Sequence, residues 1–205
     1  MDLPFIYKYQ PLFLQDFEMD DKLLELIQIL IQMDNLNILF VGNSGCGKTS
    51  LITAIIRDYY DNVNYKDNVL YINTLKDQGI SYYRNEVKTF CQTSTNIPGK
   101  KKIIVLDDLD VINEQSQQVF RNFIDKYSHN VHFIASCTNT NKVIESIQSR
   151  MSTTKIKALH TTNLSKILKR ICKIENITVD QEAEDFILSI SNNSVRIMIN
   201  YLEKF

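Results

Sequence analysis

Leu36-Asn37-Ile38-Leu39-Phe40-Val41-Gly42-Asn43-Ser44-Gly45-Cys46-Gly47-Lys48-Thr49-Ser50-Leu51-Ile52 is the stretch that decides the reading of this chain. Residues 42–49 spell G-x-x-x-x-G-K-T without a mismatch. The whole chain has 5 glycines and three of them fall here, so the cluster does not come from a glycine-rich background. Glycine supplies the positive-φ positions that let consecutive backbone N–H groups turn toward one anion. In such a loop Lys48 reaches the β- and γ-phosphates and the Thr49 hydroxyl can ligate Mg²⁺. The flanks support the motif. An apolar run of strand type precedes it. From Ser50 to Tyr60 the apolar residues recur at spacings of three and four, as one helix face requires. Strand, glycine loop and helix start together make a phosphate site, because the first-turn amides and the helix dipole both favour negative charge.

Working outward, the same alternation continues. Residues 20–33 carry a helical pattern with Asp20 or Asp21 as its cap. Val69-Leu70-Tyr71-Ile72 reads as a buried strand, and Ser81 to Gln92 as a helix capped by Ser81. Lys102 to Asp107 reads as a strand, Gln115 to Tyr127 as a helix and Val131 to Ser136 as a strand. Strand and helix in turn predict an α/β fold, a parallel sheet with helices on both faces. From residue 159 onward only helical patterns appear (163–173, 178–190 and 194–204), so a nucleotide-binding α/β domain over 1–158 and a small helical domain over 159–205 are expected.

Composition narrows the class. A net charge of −1 gives no overall pull toward nucleic acid, so any polyanion site must be local. The 4 cysteines lie far apart with no C-x-x-C pair, which argues against structural zinc and against a disulfide framework. The three histidines (His129, His132, His160) lack ligand spacing and read as surface or packing residues. No apolar run approaches the ~20 residues that span a bilayer, and the first residues are not a signal peptide, so a soluble intracellular protein is expected.

Ile103-Ile104-Val105-Leu106-Asp107-Asp108 is a buried strand that ends in two acids. Ligands bind at the carboxyl ends of strands in open α/β sheets, which puts Asp107 beside the phosphate loop as a Mg²⁺ holder, mostly through water. Asp108 is then placed to polarise an attacking water. A further strand is expected between the loop strand and this one.

Several strings resemble the small subunit of a sliding-clamp loader, the replication factor C type of AAA+ ATPase. They are Leu3-Pro4-Phe5 with Lys8-Tyr9-Gln10-Pro11, residues 73–80, Gln117-Gln118-Val119-Phe120-Arg121, and residues 141–150 (Asn141 to Arg150). The last is Ser194-Val195-Arg196 with Asn200 and Leu202. The resemblance runs from residue 3 to the end. It implies a RecA-like P-loop NTPase fold with a helical lid, ATP and Mg²⁺ as cofactors, and ATP hydrolysis during DNA replication. The implied nucleotide-binding set is Gly42, Asn43, Ser44, Gly45, Cys46, Gly47, Lys48, Thr49 and Ser50, with Tyr9 and Pro11 near the adenine. Thr49 and Asp107 would hold the metal. Arg150 is implied to be an arginine finger acting on a neighbouring subunit's ATP, and Arg196 a lid arginine reading the γ-phosphate. Thr138 falls where the family usually has a sensing Asn, and Asn73 where a polar residue restrains the catalytic acid. Arg84 and Lys88 match basic positions that follow a duplex backbone without reading sequence. The implied partners are other clamp-loader subunits, a sliding clamp and primer–template DNA. Another AAA+ replication or recombination ATPase, such as a helicase loader, and a nucleotide-binding structural subunit that hardly hydrolyses remain as alternatives.

Four positions depart from the family pattern: Asp108 replaces Glu, Gln10 replaces Arg, Asn193 replaces Gly and Asn122 replaces a second Arg. The shorter acid predicts slow hydrolysis with intact ATP binding. Family members carry a further helical collar domain beyond the lid, where this chain stops, so a monomer or weak association is expected of it alone.

Overall fold

In the computed structural model, residues 3–61, 63–72 and 79–204 are described. The chain opens with a short helix, α1 (Phe5–Lys8), and then α2 (Asp21–Gln32), β1 (Ile38–Val41) and α3 (Lys48–Tyr59). After β2 (Val69–Ile72) comes a continuous helical run: α4 (Gly79–Tyr82), a π-helical turn (Tyr83–Val87) and α5 (Lys88–Gln92). There follow β3 (Lys102–Leu106), α6 (Glu114–Tyr127), β4 (Val131–Cys137), α7 (Glu145–Gln148) and β5 (Ser152–Lys155). Three helices complete the chain: α8 (Thr161–Glu175), α9 (Gln181–Ile190) and α10 (Val195–Leu202).

The strands form one parallel sheet in the order β2-β3-β4-β1-β5. The expected intervening strand is β4, which lies between the loop strand β1 and the acid strand β3. Alternation along the strands divides the core. Leu39, Ile104, Leu106, Phe133 and Ala135 face one side, where they meet Val87 and Cys91 of the helical run and Phe120, Phe123 and Ile124 of α6. Ile38, Phe40, Ile103, Val105 and Ile134 face the other, against Ile27 of α2 and Leu51, Ile52, Ile55 and Ile56 of α3. Helices therefore cover both faces, as the alternating pattern predicted. Each fully buried Leu, Ile or Phe here contributes roughly 1.5–3 kcal/mol.

The caps explain where the helices begin. The Asp20 carboxylate accepts from the Lys22 amide at 3.0 Å, and Asn113 accepts from the Ser116 amide at 2.9 Å. Asp180 accepts from the Ala183 amide at 2.7 Å. Each satisfies an amide that lacks a helical partner. The helix after β2 departs from expectation. Its described part already includes Gly79 and Ile80, so Ser81 lies inside the helix rather than capping it.

A third apolar cluster is built from Leu164, Leu168 and Ile171 of α8, Ile187 of α9, and Met198, Ile199 and Leu202 of α10. Phe5, Ile6 and Tyr9 pack against it, so the N-terminal segment joins the helical cluster rather than the sheet. The chain terminates α8 at Asn176 in the left-handed region (φ 56), and Asn193, one residue before the α10 cap, adopts the same conformation (φ 60). Asparagine tolerates this region better than most residues, so its substitution for glycine at 193 is mild.

At the far end of the sheet, His132 is buried and bonded on both ring nitrogens. Nδ1 accepts from the Leu36 amide at 3.4 Å, and Nε2 lies 2.9 Å from Asp34 Oδ1. Those partners fix the tautomer with the proton on Nε2. The role is packing, as expected. Cys91, Cys137 and Cys172 are buried, and burial pushes the Cys91 thiol up to about 12 and the Cys137 thiol to about 11. No helix among the described residues is long and apolar enough to cross a membrane.

Candidate nucleotide-binding site

The loop between β1 and α3 is pinned at its base. The Gly42 amide donates to the Cys137 carbonyl at 3.1 Å, and the Ile156 amide to the Val41 carbonyl at 2.7 Å. Gly45 (φ +78) and Gly47 (φ +93) both lie in the left-handed region. A Cβ on Gly45 would sit 2.5 Å from Ser194 Oγ, whereas one on Gly47 would meet nothing within 4 Å. Gly45 is therefore required by space and by backbone, Gly47 by backbone alone. The turn at Gly47 starts α3, whose first amides have no helical acceptor and point out of the helix end.

Lys48 is buried. Its ammonium donates to the Gly42 carbonyl at 2.8 Å and to the Asn43 carbonyl at 3.1 Å. Among the described residues no carboxylate lies within ion-pair distance of it. A buried cation with carbonyls but no counter-ion is a strong attractor for an anion.

The end of β3 meets the start of α3. Thr49 Oγ1 donates to Asp107 Oδ2 at 2.7 Å. The other Asp107 oxygen accepts from the Ser136 hydroxyl, and Ser136 Oγ in turn accepts from the Asp108 amide at 3.0 Å. Asp108 itself sits in the left-handed region (φ 54, ψ 51). Its carboxyl is pushed above the usual carboxylate range, first by burial, then by the charges of Asp107 and Asp110, against the pull of Lys48 and Arg196. Ser136, fully buried on the middle strand, was not singled out from the sequence.

A hydroxyl and a carboxylate meeting at a helix start are hard oxygen donors, and they suit Mg²⁺ that keeps water and phosphate oxygens in its remaining positions. No group of three or more His, Cys, Asp or Glu side chains among the described residues could hold a metal without such help.

A cavity of about 580 Å³ opens beside the loop, walled by Gly45, Cys46, Thr49 and Ser50 on one side. Tyr9, Gln10 and Pro11 close another side, and Arg196 projects from α10. The wall positions are fixed by long-range bonds. Gln10 Nε2 donates to Ser50 Oγ at 3.3 Å, the Tyr9 hydroxyl donates to Glu175 Oε1, and Lys8 Nζ lies 2.6 Å from the same carboxylate oxygen.

The remaining candidate residues fall elsewhere. Arg150 does not line the cavity; its guanidinium pairs with Asp125 and donates to the Ser146 carbonyl at 2.7 Å. Thr138 has an exposed side chain just beyond β4, and its amide donates to Asp110 Oδ2 at 3.1 Å. Arg84 and Lys88 are both exposed on the helical run after β2. Asn73 lies outside the described residues, as do residues 74–78 of the string that carried it.

The profile of the ATPase family associated with various cellular activities (AAA) matches residues 38–158, a span that includes β1, the loop, α3 and the acid strand. The chain belongs to the AAA family of ATPases. Among proteins similar to this AAA chain is the replication factor C small subunit of Methanococcus vannielii, 31% identical over 204 residues, covering 99% of this chain and 64% of that protein. Replication factor C subunit 4 of Saccharomyces cerevisiae is 29% identical over 205 residues, covering 99% of this chain and 63% of the relative. This bears out the resemblance drawn from the motifs. The chain spans less than two thirds of the length of these relatives. Among solved structures, the Thermotoga maritima RuvB Holliday junction branch migration motor matches with a TM-score of 0.71 at 15% identity, covering 96% of this chain and 64% of that one. That likeness speaks to the AAA fold.

Proposed function

We propose that this chain binds and hydrolyses ATP as one subunit of a DNA sliding-clamp loader. The observation that carries the reading is the meeting of Thr49 and Asp107 beside a buried Lys48 whose ammonium is bonded to the Gly42 and Asn43 carbonyls. The similarity to replication factor C small subunits over nearly the whole chain supports the biological setting.

In this reading Lys48 and the loop amides from Gly42 to Ser50 hold the triphosphate. Tyr9 and Pro11 border the base. Thr49 and Asp107 hold Mg²⁺, which neutralises charge on the β- and γ-phosphate oxygens when bound. Asp108 polarises the attacking water, and its short side chain makes turnover slow. Arg196, carried on α10, reads the γ-phosphate, and Thr138 reports its loss at the end of β4. The three helices from 161 to 202 serve as a lid, with the boundary near residue 158. Arg150, which does not line the cavity beside its own loop, acts on a neighbour's ATP, where a fixed guanidinium stabilises developing charge. Arg84 and Lys88 contact the phosphates of primer–template DNA without reading sequence.

The test is the ATPase rate of the reconstituted complex, with and without primed DNA and a clamp, before and after Arg150→Ala in this subunit. Stimulation by both ligands and its loss in the variant are expected. A rate insensitive to DNA, clamp and substitution would remove the clamp-loader assignment. Binding to a helicase but not to a clamp would favour a different AAA ATPase.

A further inference from the structure

Ser136 stands on β4, the strand that separates the loop strand from the acid strand. In register it lies beside Phe40 of β1, and its neighbour Ala135 pairs with Leu106, the last residue of β3. Its side chain therefore points to the α3 side of the sheet, between the phosphate loop and the two acids. It is fully buried, and its hydroxyl is used in both directions, donating to Asp107 Oδ1 and accepting from the Asp108 amide at 3.0 Å. The Asp107 carboxylate has two oxygens. With one held by Ser136, the other is left facing Thr49 Oγ1 at 2.7 Å. The second bond steadies Asp108 in a left-handed conformation (φ 54) that an L-residue adopts at a cost.

We propose that Ser136 is a positioning residue for both acids. It fixes the Asp107 carboxylate in the orientation that receives Mg²⁺ together with Thr49, and it holds the Asp108 backbone so that the second acid faces the phosphate side. This rests on the nucleotide-site reading above. An outer-shell hydrogen bond to a metal-binding carboxylate works by removing the rotational freedom that the ligand would otherwise lose on binding.

The experiment uses the full chain, a fluorescent ATP analogue and a Mg²⁺ titration, with a parallel series in EDTA. Ser136→Ala removes the hydroxyl with little change of volume, and Ser136→Cys is nearly isosteric but a weak hydrogen-bonding group. The Mg²⁺ concentration for half-maximal nucleotide binding should rise roughly 10- to 100-fold in the alanine variant, with the cysteine variant in between. Affinity in EDTA should stay within about twofold of wild type, because Lys48 and the loop amides are untouched. If the alanine variant does not fold, the cysteine variant alone decides by the same shift. A melting temperature that falls while the Mg²⁺ half-point stays at the wild-type value would overturn the proposal and leave Ser136 a packing residue. Wild-type protein that takes up no nucleotide at any Mg²⁺ concentration would overturn this proposal and the nucleotide site together, and so is distinguishable from the first result.

Discussion

Thr49 Oγ1 and Asp107 Oδ2 meet at 2.7 Å although 58 residues separate them in the chain. The contact joins the first turn of α3 to the end of β3 across the strand between them. It is made by two groups that both prefer a hard cation to each other. Thr49→Val keeps the shape and removes the oxygen. Its nucleotide affinity in EDTA should match wild type, while the gain on adding Mg²⁺ should shrink by about 10- to 100-fold. Isothermal titration with and without the metal checks both halves.

Lys48 gives a prediction in which affinity and stability separate. Among the described residues no carboxylate lies within ion-pair distance of its buried ammonium, so replacing it by a neutral side chain of similar length removes a buried charge without breaking an ion pair. Lys48→Met should melt at the same temperature as wild type or higher, and bind ATP about 10- to 100-fold more weakly. A variant that lost stability and kept affinity would contradict the assigned role.

The Asp108 carboxyl is held above its ordinary range, chiefly by burial and then by Asp107 and Asp110. A base must be ionised to act, so hydrolysis should fall off on the acid side at a pH higher than an ordinary aspartate would give. Asp108→Glu extends the acid by one methylene and should raise turnover with little change in ATP affinity. Asp108→Asn should bind ATP and leave it intact. A pH–rate profile and a single-turnover assay of the three proteins check these outcomes.

Gly45 combines a positive φ of +78 with a would-be Cβ only 2.5 Å from Ser194 Oγ. Gly45→Ala should cost about 1–3 kcal/mol, from backbone strain and from the push against the start of α10. The damage should reach nucleotide binding as well, because the loop and Arg196 would be forced apart. Thermal melting and nucleotide titration together report it.

At the other end of the sheet, burial pushes the Asp34 carboxyl up, but hydrogen bonds from Tyr59, Lys101 and His132 outweigh it and bring it down to about 2. A depressed carboxyl contributes its full stability above its unfolded value of about 4 and loses it as the pH falls toward 2. Asp34→Asn should therefore be less stable at pH 7 by about 1 kcal/mol, a figure reduced for the exposure of the carboxylate. The difference from wild type should close between about pH 4 and pH 2. Urea melts across that range test the sign.

Much of the fold was legible because hydrophobic period and glycine placement are local signals. The run Ile38–Val41, the loop and the spacing of Leu51, Ile52, Ile55 and Ile56 announce a strand, a turn and a helix without reference to anything distant. β5 escaped for a physical reason. Ser152-Thr153-Thr154-Lys155 lies at a sheet edge with polar, largely exposed side chains, so neither an apolar run nor an alternation marks it. Ser136 escaped because a serine within an apolar strand has no periodic signature; only the register that sets β4 beside β3 shows what its hydroxyl reaches. The placement of α1 was hidden for a similar reason. Phe5 and Tyr9 are visibly apolar, but nothing in their own spacing says that the matching surface lies in the last three helices.

That placement ties motion to occupancy. Residues 5–9 are clamped to the helical cluster through Phe5, Ile6 and the Tyr9–Glu175 bond, and Gln10, next in line, is bonded to Ser50 at the loop. Residues 5–10 thus link the cluster of α8, α9 and α10 to the first turn of α3. Any displacement of that cluster relative to the loop therefore has to stretch or break the Gln10–Ser50 bond.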